Sequence, residues 1–112
     1  MVNLCRPTGR PVEKSPLALC DAASITAGDL VASDLVYRDR VGETYALQFN
    51  PGQRWYWFPR LAPAEAILIK CYDSAEDVAR FPAHGAFEDP GSRADAPERE
   101  SIETRALVFY PR

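Results

Sequence analysis

The stretch LVASDLVYRDRVGETYALQFNPGQRWYWF, residues 30–58, decides the fold. Three runs within it read as strands: Leu30 to Tyr37, Thr44 to Phe49 and Arg54 to Phe58. Each is rich in the β-branched, aromatic and apolar side chains that suit a pleated surface. A polar turn, Arg38 to Glu43, parts the first two, and Asn50-Pro51-Gly52 parts the second from the third. Short strands at close spacing, with turn residues between them, predict an all-β sandwich or barrel.

The rest of the chain continues the pattern. Val2 to Arg6 reads as a strand stopped by Pro7, followed by a polar loop over Thr8 to Pro16. Leu17 to Asp21 reads as a buried strand, and Ser24 to Asp29 as one helical turn capped by Ser24. Ala66 to Tyr72 is a further strand and Glu76 to Arg80 a brief helix. Gly85 to Phe87 and Ile102 to Tyr110 complete the strands, with a charged loop over Pro90 to Glu98. Ten prolines and six glycines leave little room for long helices. Leu17, Leu19, Val31, Leu35, Leu68, Leu107 and Phe109 are the expected core.

Composition sets the bounds. With 112 residues, 46% of them hydrophobic, the chain fits a single domain, 1–112, with a small core. The net charge of −3 is interspersed, and no basic patch of the kind that grips a phosphate backbone is present, so no nucleic acid is expected. No apolar run approaches the roughly 18 residues of a membrane span. The opening MVNLCRPTGR lacks the apolar heart of a signal peptide. Cys5, Cys20 and Cys71 are odd in number and far apart, and read as reduced thiols of a cytoplasmic protein. Together with His84 they equal a zinc ligand set on paper, but their scatter argues against one.

Three places bear on chemistry. The only histidine, His84, is followed fifteen residues on by Arg99 and then by Ser101. Arg99, Ser101, Glu103 and Arg105 lie two apart and share one strand face, which Leu107 and Phe109 continue. That face is either the polar wall of a barrel pocket or a solvated strand face, and His84 is either a pocket residue or a solvated loop histidine. In the aromatic block Arg54 to Phe58, Trp55 and Trp57 share one face while Tyr56 and Phe58 share the other. Core packing is the expectation there, a stacking platform for a ring-bearing ligand the alternative. Asp21, Asp73 and Asp89 sit where aspartate caps backbone donors, and none forms an H-x-D pair.

The blocks VNLCRP, PLALCDA, DLVASDLVY, GETYALQFNPGQRWYWFP, AILIKCYDS, AHGAF and ERESIETRALVFY together resemble one family. It is the hydroxylase/desaturase group that includes the cephalosporin 7-alpha-hydroxylase of cephamycin biosynthesis and gibberellin-desaturase-like fungal proteins. The resemblance implies an iron(II)/2-oxoglutarate oxygenase with a jelly-roll (double-stranded β-helix) core, acting on a small secondary metabolite. It implies that His84 is the distal iron ligand. Arg99 and Ser101 then hold the 2-oxoglutarate carboxylate, an office suited to the planar arginine fork, with Arg105 as a second basic contact. Ala83-His84-Gly85 departs from the family's Pro-His-Thr.

The family's remaining ligands, a His-x-Asp, lie upstream of the block that here starts at Val2. A facial triad needs two histidines and a carboxylate, so one histidine cannot complete it. The chain is therefore expected to match the C-terminal portion of the fold, as a truncated or degenerate relative that is inactive alone. The alternative is a non-catalytic binding or assembly module. In either case exposed strand edges predict a homo-oligomer.

Overall fold

The computed structural model describes residues 1–111. Eight strands follow one another: β1 (Val2–Pro7), β2 (Leu17–Cys20), β3 (Leu30–Val36), β4 (Val41–Leu47), β5 (Trp55–Trp57), β6 (Ile67–Lys70), β7 (His84–Ala86) and β8 (Ser101–Ala106). All pairing is antiparallel. One sheet has the order β6-β1-β8, a second the order β5-β2-β7, and β3 with β4 forms a separate hairpin.

The alternation of β1 fixes the first sheet. Asn3, Cys5 and Pro7 are buried while Leu4 and Arg6 are exposed. The register sets Asn3 opposite Ile69 and Arg105, Cys5 opposite Ile67 and Glu103, and Pro7 opposite Ser101. Residues directly opposite across a ladder share a face, so all of these point to one side. On that side Cys5, Ile67 and Ile69 form the buried cluster, and Leu17 and Leu19 of β2 pack against it with Leu61 and Cys71. The first two sheets therefore face each other across this core.

Several local expectations give way to specific bonds. In the hairpin, the Tyr37 N–H donates to the Arg40 carbonyl at 2.8 Å, so the turn tightens to Arg38-Asp39 and β4 starts at Val41 rather than Thr44. The helical turn expected at Ser24 to Asp29 is two 3-10 turns, Ala22–Ser24 and Ala27–Asp29. Asp21, not Ser24, caps the first, accepting from the Ala23 N–H at 2.9 Å. The Ser24 hydroxyl instead ties two segments, donating to the Asp21 carbonyl at 2.6 Å and accepting from the Arg54 N–H at 2.9 Å. No helix forms over Glu76 to Arg80. Arg80 turns its Nε to the Asp73 carbonyl and lays its guanidinium over Tyr72 and Phe81. Asp73 and Asp89 cap as expected, each accepting from the N–H two residues on.

The expected core is corrected in part. Leu17 and Leu19 are half-buried against the core cluster, but Val31, Leu35, Leu68, Leu107 and Phe109 are not buried. Leu68 has the wrong parity: Ile67 and Ile69 take the inner face and leave it 69% exposed. β8 stops at Ala106 because Ala106 pairs with Val2 at the edge of β1, so Leu107 to Tyr110 have no ladder to join. Val31 and Leu35 lie on a hairpin that pairs only with itself. Trp55, Tyr56 and Trp57 are all exposed to a similar degree, with Trp57 set edge-on to Phe87 at 5.4 Å, so the block is not core. The radius of gyration, 15.8 Å, exceeds the about 13 Å of a compact chain of this size. The two sheets enclose less than a closed sandwich would.

Candidate functional site

His84 opens β7 and pairs with Leu19, which also pairs with Tyr56. It thus shares the face of β2 that packs on the core, and is a strand residue rather than a loop residue. Its Nδ1 lies 3.3 Å from the Pro82 carbonyl oxygen. A carbonyl only accepts, so the tautomer that satisfies this contact carries its proton on Nδ1 and its lone pair on Nε2. Histidines that bind metals through Nε2 are commonly set up in this way.

Facing it is the inner surface of the first sheet. Ser101, Glu103 and Arg105 lie along one face there, opposite the buried Pro7, Cys5 and Asn3, while Arg99 precedes β8 and borders Cys5 and Pro7 beside Ser101. Asn3 is 1% exposed. Its Nδ2 donates to Glu103 Oε1 at 2.6 Å, and its Oδ1 accepts from Arg105 Nε at 3.2 Å. Burial and then the Glu103 carboxylate push the Cys5 thiol pKa up, while the Arg99 guanidinium pulls it down, so both charges reach the centre of this face.

A cavity of about 770 Å³ lies between these surfaces and the hairpin. His84, Asn3, Glu103 and Arg105 line it, with Tyr45, Tyr72, Phe81 and Trp55 among its aromatic walls. Phe81 meets Tyr45 edge-on at 5.2 Å, linking the hairpin to the segment that leads into His84. Arg99 and Ser101 do not line this cavity. They border a separate cleft with Pro7, Leu17, Phe58 and Ile67 whose free space is about 10 Å³, room for a single water. The structure thus brings Arg105 together with His84 and leaves Ser101 further along the same face, with Arg99 beside it.

The donors present fit one corner of an iron site: an imidazole whose Nδ1 lies against the Pro82 carbonyl. Among the described residues no group of three or more His, Cys, Asp or Glu side chains converges on a metal position. Cys5, Cys20 and Cys71 are free. Two residues escaped the sequence reading. Asn3 left a trace there, a polar residue in step with Cys5 and Pro7. Phe81 left none, because its role depends on Tyr45 and Tyr72 from distant segments.

A family model described as an oxidoreductase/YMDC permease-like domain matches residues 1–109. The chain belongs to that family. It is 40% identical over 114 residues to aspirochlorine biosynthesis protein N of Aspergillus oryzae, covering 98% of this chain and 48% of that protein. To the hydroxylase/desaturase asaB of Aspergillus flavus it is 39% identical over 125 residues, covering 98% of this chain and 55% of the relative. The Fe(II)/2-oxoglutarate-dependent dioxygenase nvfI of Aspergillus novofumigatus is 39% identical over 109 residues, with 96% and 39% covered. The solved structure of the iron and alpha-ketoglutarate-dependent endoperoxidase NvfI superposes with a TM-score of 0.83 at 33% identity, over 91% of this chain and 38% of that one. The facing antiparallel sheets are therefore of the jelly-roll type found in that oxygenase fold. The chain spans about half the length, or less, of these relatives. No helix among the described residues is long and apolar enough to cross a membrane.

Proposed function

We propose that the chain forms the C-terminal part, a single domain over residues 1–112, of an iron(II)/2-oxoglutarate-dependent hydroxylase or desaturase acting on a small secondary metabolite. The observation that carries this is the shared cavity: His84 from one sheet and Arg105 from the other line the same space of about 770 Å³. His84 offers Nε2 to the metal while the Pro82 carbonyl holds its ring. Arg105 takes the leading part in gripping a 2-oxoglutarate carboxylate, and Arg99 with Ser101 forms a second anchor further along the face. The aromatic side chains offer apolar surface for the substrate to pack on. Bound iron(II) would let dioxygen act as the oxidant: 2-oxoglutarate would give succinate and carbon dioxide, succinate keeping one oxygen atom, while the other would hydroxylate the substrate or leave as water in a desaturation. With a single histidine in these 112 residues, the second histidine of a facial triad would be supplied from outside them.

A second reading, a non-catalytic binding or assembly module acting as a homo-oligomer, is favoured by the single metal donor. Under either reading a cytoplasmic location is proposed, and the free cysteines support it.

The test is a titration of the isolated chain with 2-oxoglutarate and manganese(II), followed by tryptophan fluorescence, to which Trp55 in the cavity wall contributes, beside a succinate assay with iron(II). The oxygenase reading expects saturable 2-oxoglutarate binding that Arg105→Ala abolishes, and no succinate above a metal-free blank. Absence of binding would leave the assembly module. Turnover abolished by His84→Ala would mean that the chain finds its missing ligands elsewhere, in a second copy for instance.

A further inference from the structure

We propose that Asn3 is a positioning residue: its side-chain amide holds Glu103 and Arg105 apart on the inner sheet face, so that the outer edge of the Arg105 guanidinium stays free to take a carboxylate. The inference rests on Arg105 being a carboxylate contact, as proposed above, and adds a residue and a device to it.

Glu103 and Arg105 are two apart on one strand face, close enough for their opposite charges to pair. They form no ion pair among the described residues. Asn3 stands opposite Arg105 in the ladder and takes both groups at once, Nδ2 to Glu103 Oε1 and Oδ1 from Arg105 Nε. An amide suits this because its donor and its acceptor are separate atoms on one short stem. Its orientation is fixed electrostatically, because the donor end faces the carboxylate and the acceptor end the guanidinium.

The contact to Arg105 uses Nε alone. Both Nη groups, the pair that forks onto a carboxylate with one more N–H than a lysine can align, make no hydrogen bond among the described residues. Asn3 is itself 1% exposed and cannot swing away. The device keeps a positive fork available beside a negative neighbour that would otherwise neutralise it.

The experiment uses the full chain in three variants. Asn3→Ala removes the separator, Asn3/Glu103 double substitution (N3A with E103Q) removes both the separator and the competing charge, and Asn3→Asp keeps the shape while supplying a carboxylate of its own. Two readouts are taken: the affinity for 2-oxoglutarate, and the NMR signal and exchange rate of the Arg105 Nε–H. Expected are a tenfold or greater loss of affinity in Asn3→Ala and Asn3→Asp, and recovery to within about threefold of the original protein when E103Q is added to N3A. The Arg105 Nε–H should be protected in the original protein and shifted in Asn3→Ala.

Unchanged affinity in a folded Asn3→Ala chain, or failure of E103Q to restore it, overturns the proposal. If the original protein binds no 2-oxoglutarate, the carboxylate reading falls, and the Nε–H signal alone decides the separator: an identical signal in both proteins rejects it. Should Asn3→Ala not fold, the isosteric Asn3→Asp carries the same comparison.

Discussion

Ile69→Ala and Leu68→Ala, one residue apart in β6, should differ sharply in their cost. Ile69 is 1% exposed and belongs to the core cluster, whereas Leu68 is 69% exposed on the outer face. Both changes remove three carbons, worth about 2.4 kcal/mol when fully buried at about 0.8 kcal/mol each. At Ile69 an unfilled cavity adds to this, giving a loss of about 3 to 4 kcal/mol. At Leu68 only about a third of the side chain leaves water on folding, so the loss should stay below about 1 kcal/mol. With a urea slope of about 1.5 kcal/mol per molar, the midpoint should fall by about 2 M for Ile69→Ala and by about 0.5 M for Leu68→Ala. Urea titrations followed by circular dichroism, at protein concentrations low enough to suppress association, measure both. Equal midpoint shifts would refute the assignment of inner and outer faces of β6, and with it the core around Cys5.

Ser24→Ala leaves the Arg54 N–H without its acceptor at a buried position, and thermal unfolding should show a loss of about 1 to 3 kcal/mol. Hydrogen bonds to the ionised carboxylates lower the pKa of Asp21 (chiefly from Arg54), Asp29 (chiefly from the Thr26 N–H) and Asp73 (chiefly from the Ala75 N–H). Groups depressed in the folded state add stability above their unfolded pKa and lose it on acidification, so Tm should be flat above about pH 5 and fall as pH drops below about 4. The exposed apolar surface on the β3–β4 hairpin and after β8 should drive self-association. Light scattering at concentrations of the order of tens of micromolar should report a dimer or larger; a stable monomer would reject this.

What the sequence conveyed was local. The hairpin from Leu30 to Leu47 was legible because its strands and turn are contiguous, and β1 because Pro7 ends an alternating run. The common face of Ser101, Glu103 and Arg105 followed from period two alone, whereas Arg99 lies ahead of the strand. The parity of β6 did not, since AILIK is apolar at successive positions and alternation carries no signal there. Nor did the choice between Arg99 and Arg105 as companion of His84. That depends on how far along the ladder β8 sits relative to β7, two strands in different sheets, and no short-range pattern encodes it. The expected burial of Leu107 and Phe109 failed for the same reason, because only the end of β1 at Val2 shows where β8 runs out of partner.

The central place of β1 has a consequence for how the protein is made. Its two neighbours, β6 and β8, pair with it across separations of roughly 65 and 100 residues. On a ribosome β1 must wait for both of these neighbours until β6 and then β8 have followed it. Such distant closures are slow, and apolar strands left open in the interval are prone to join the wrong neighbour. The yield of folded protein should therefore respond to translation speed, temperature and chaperone supply more strongly than its final stability would suggest.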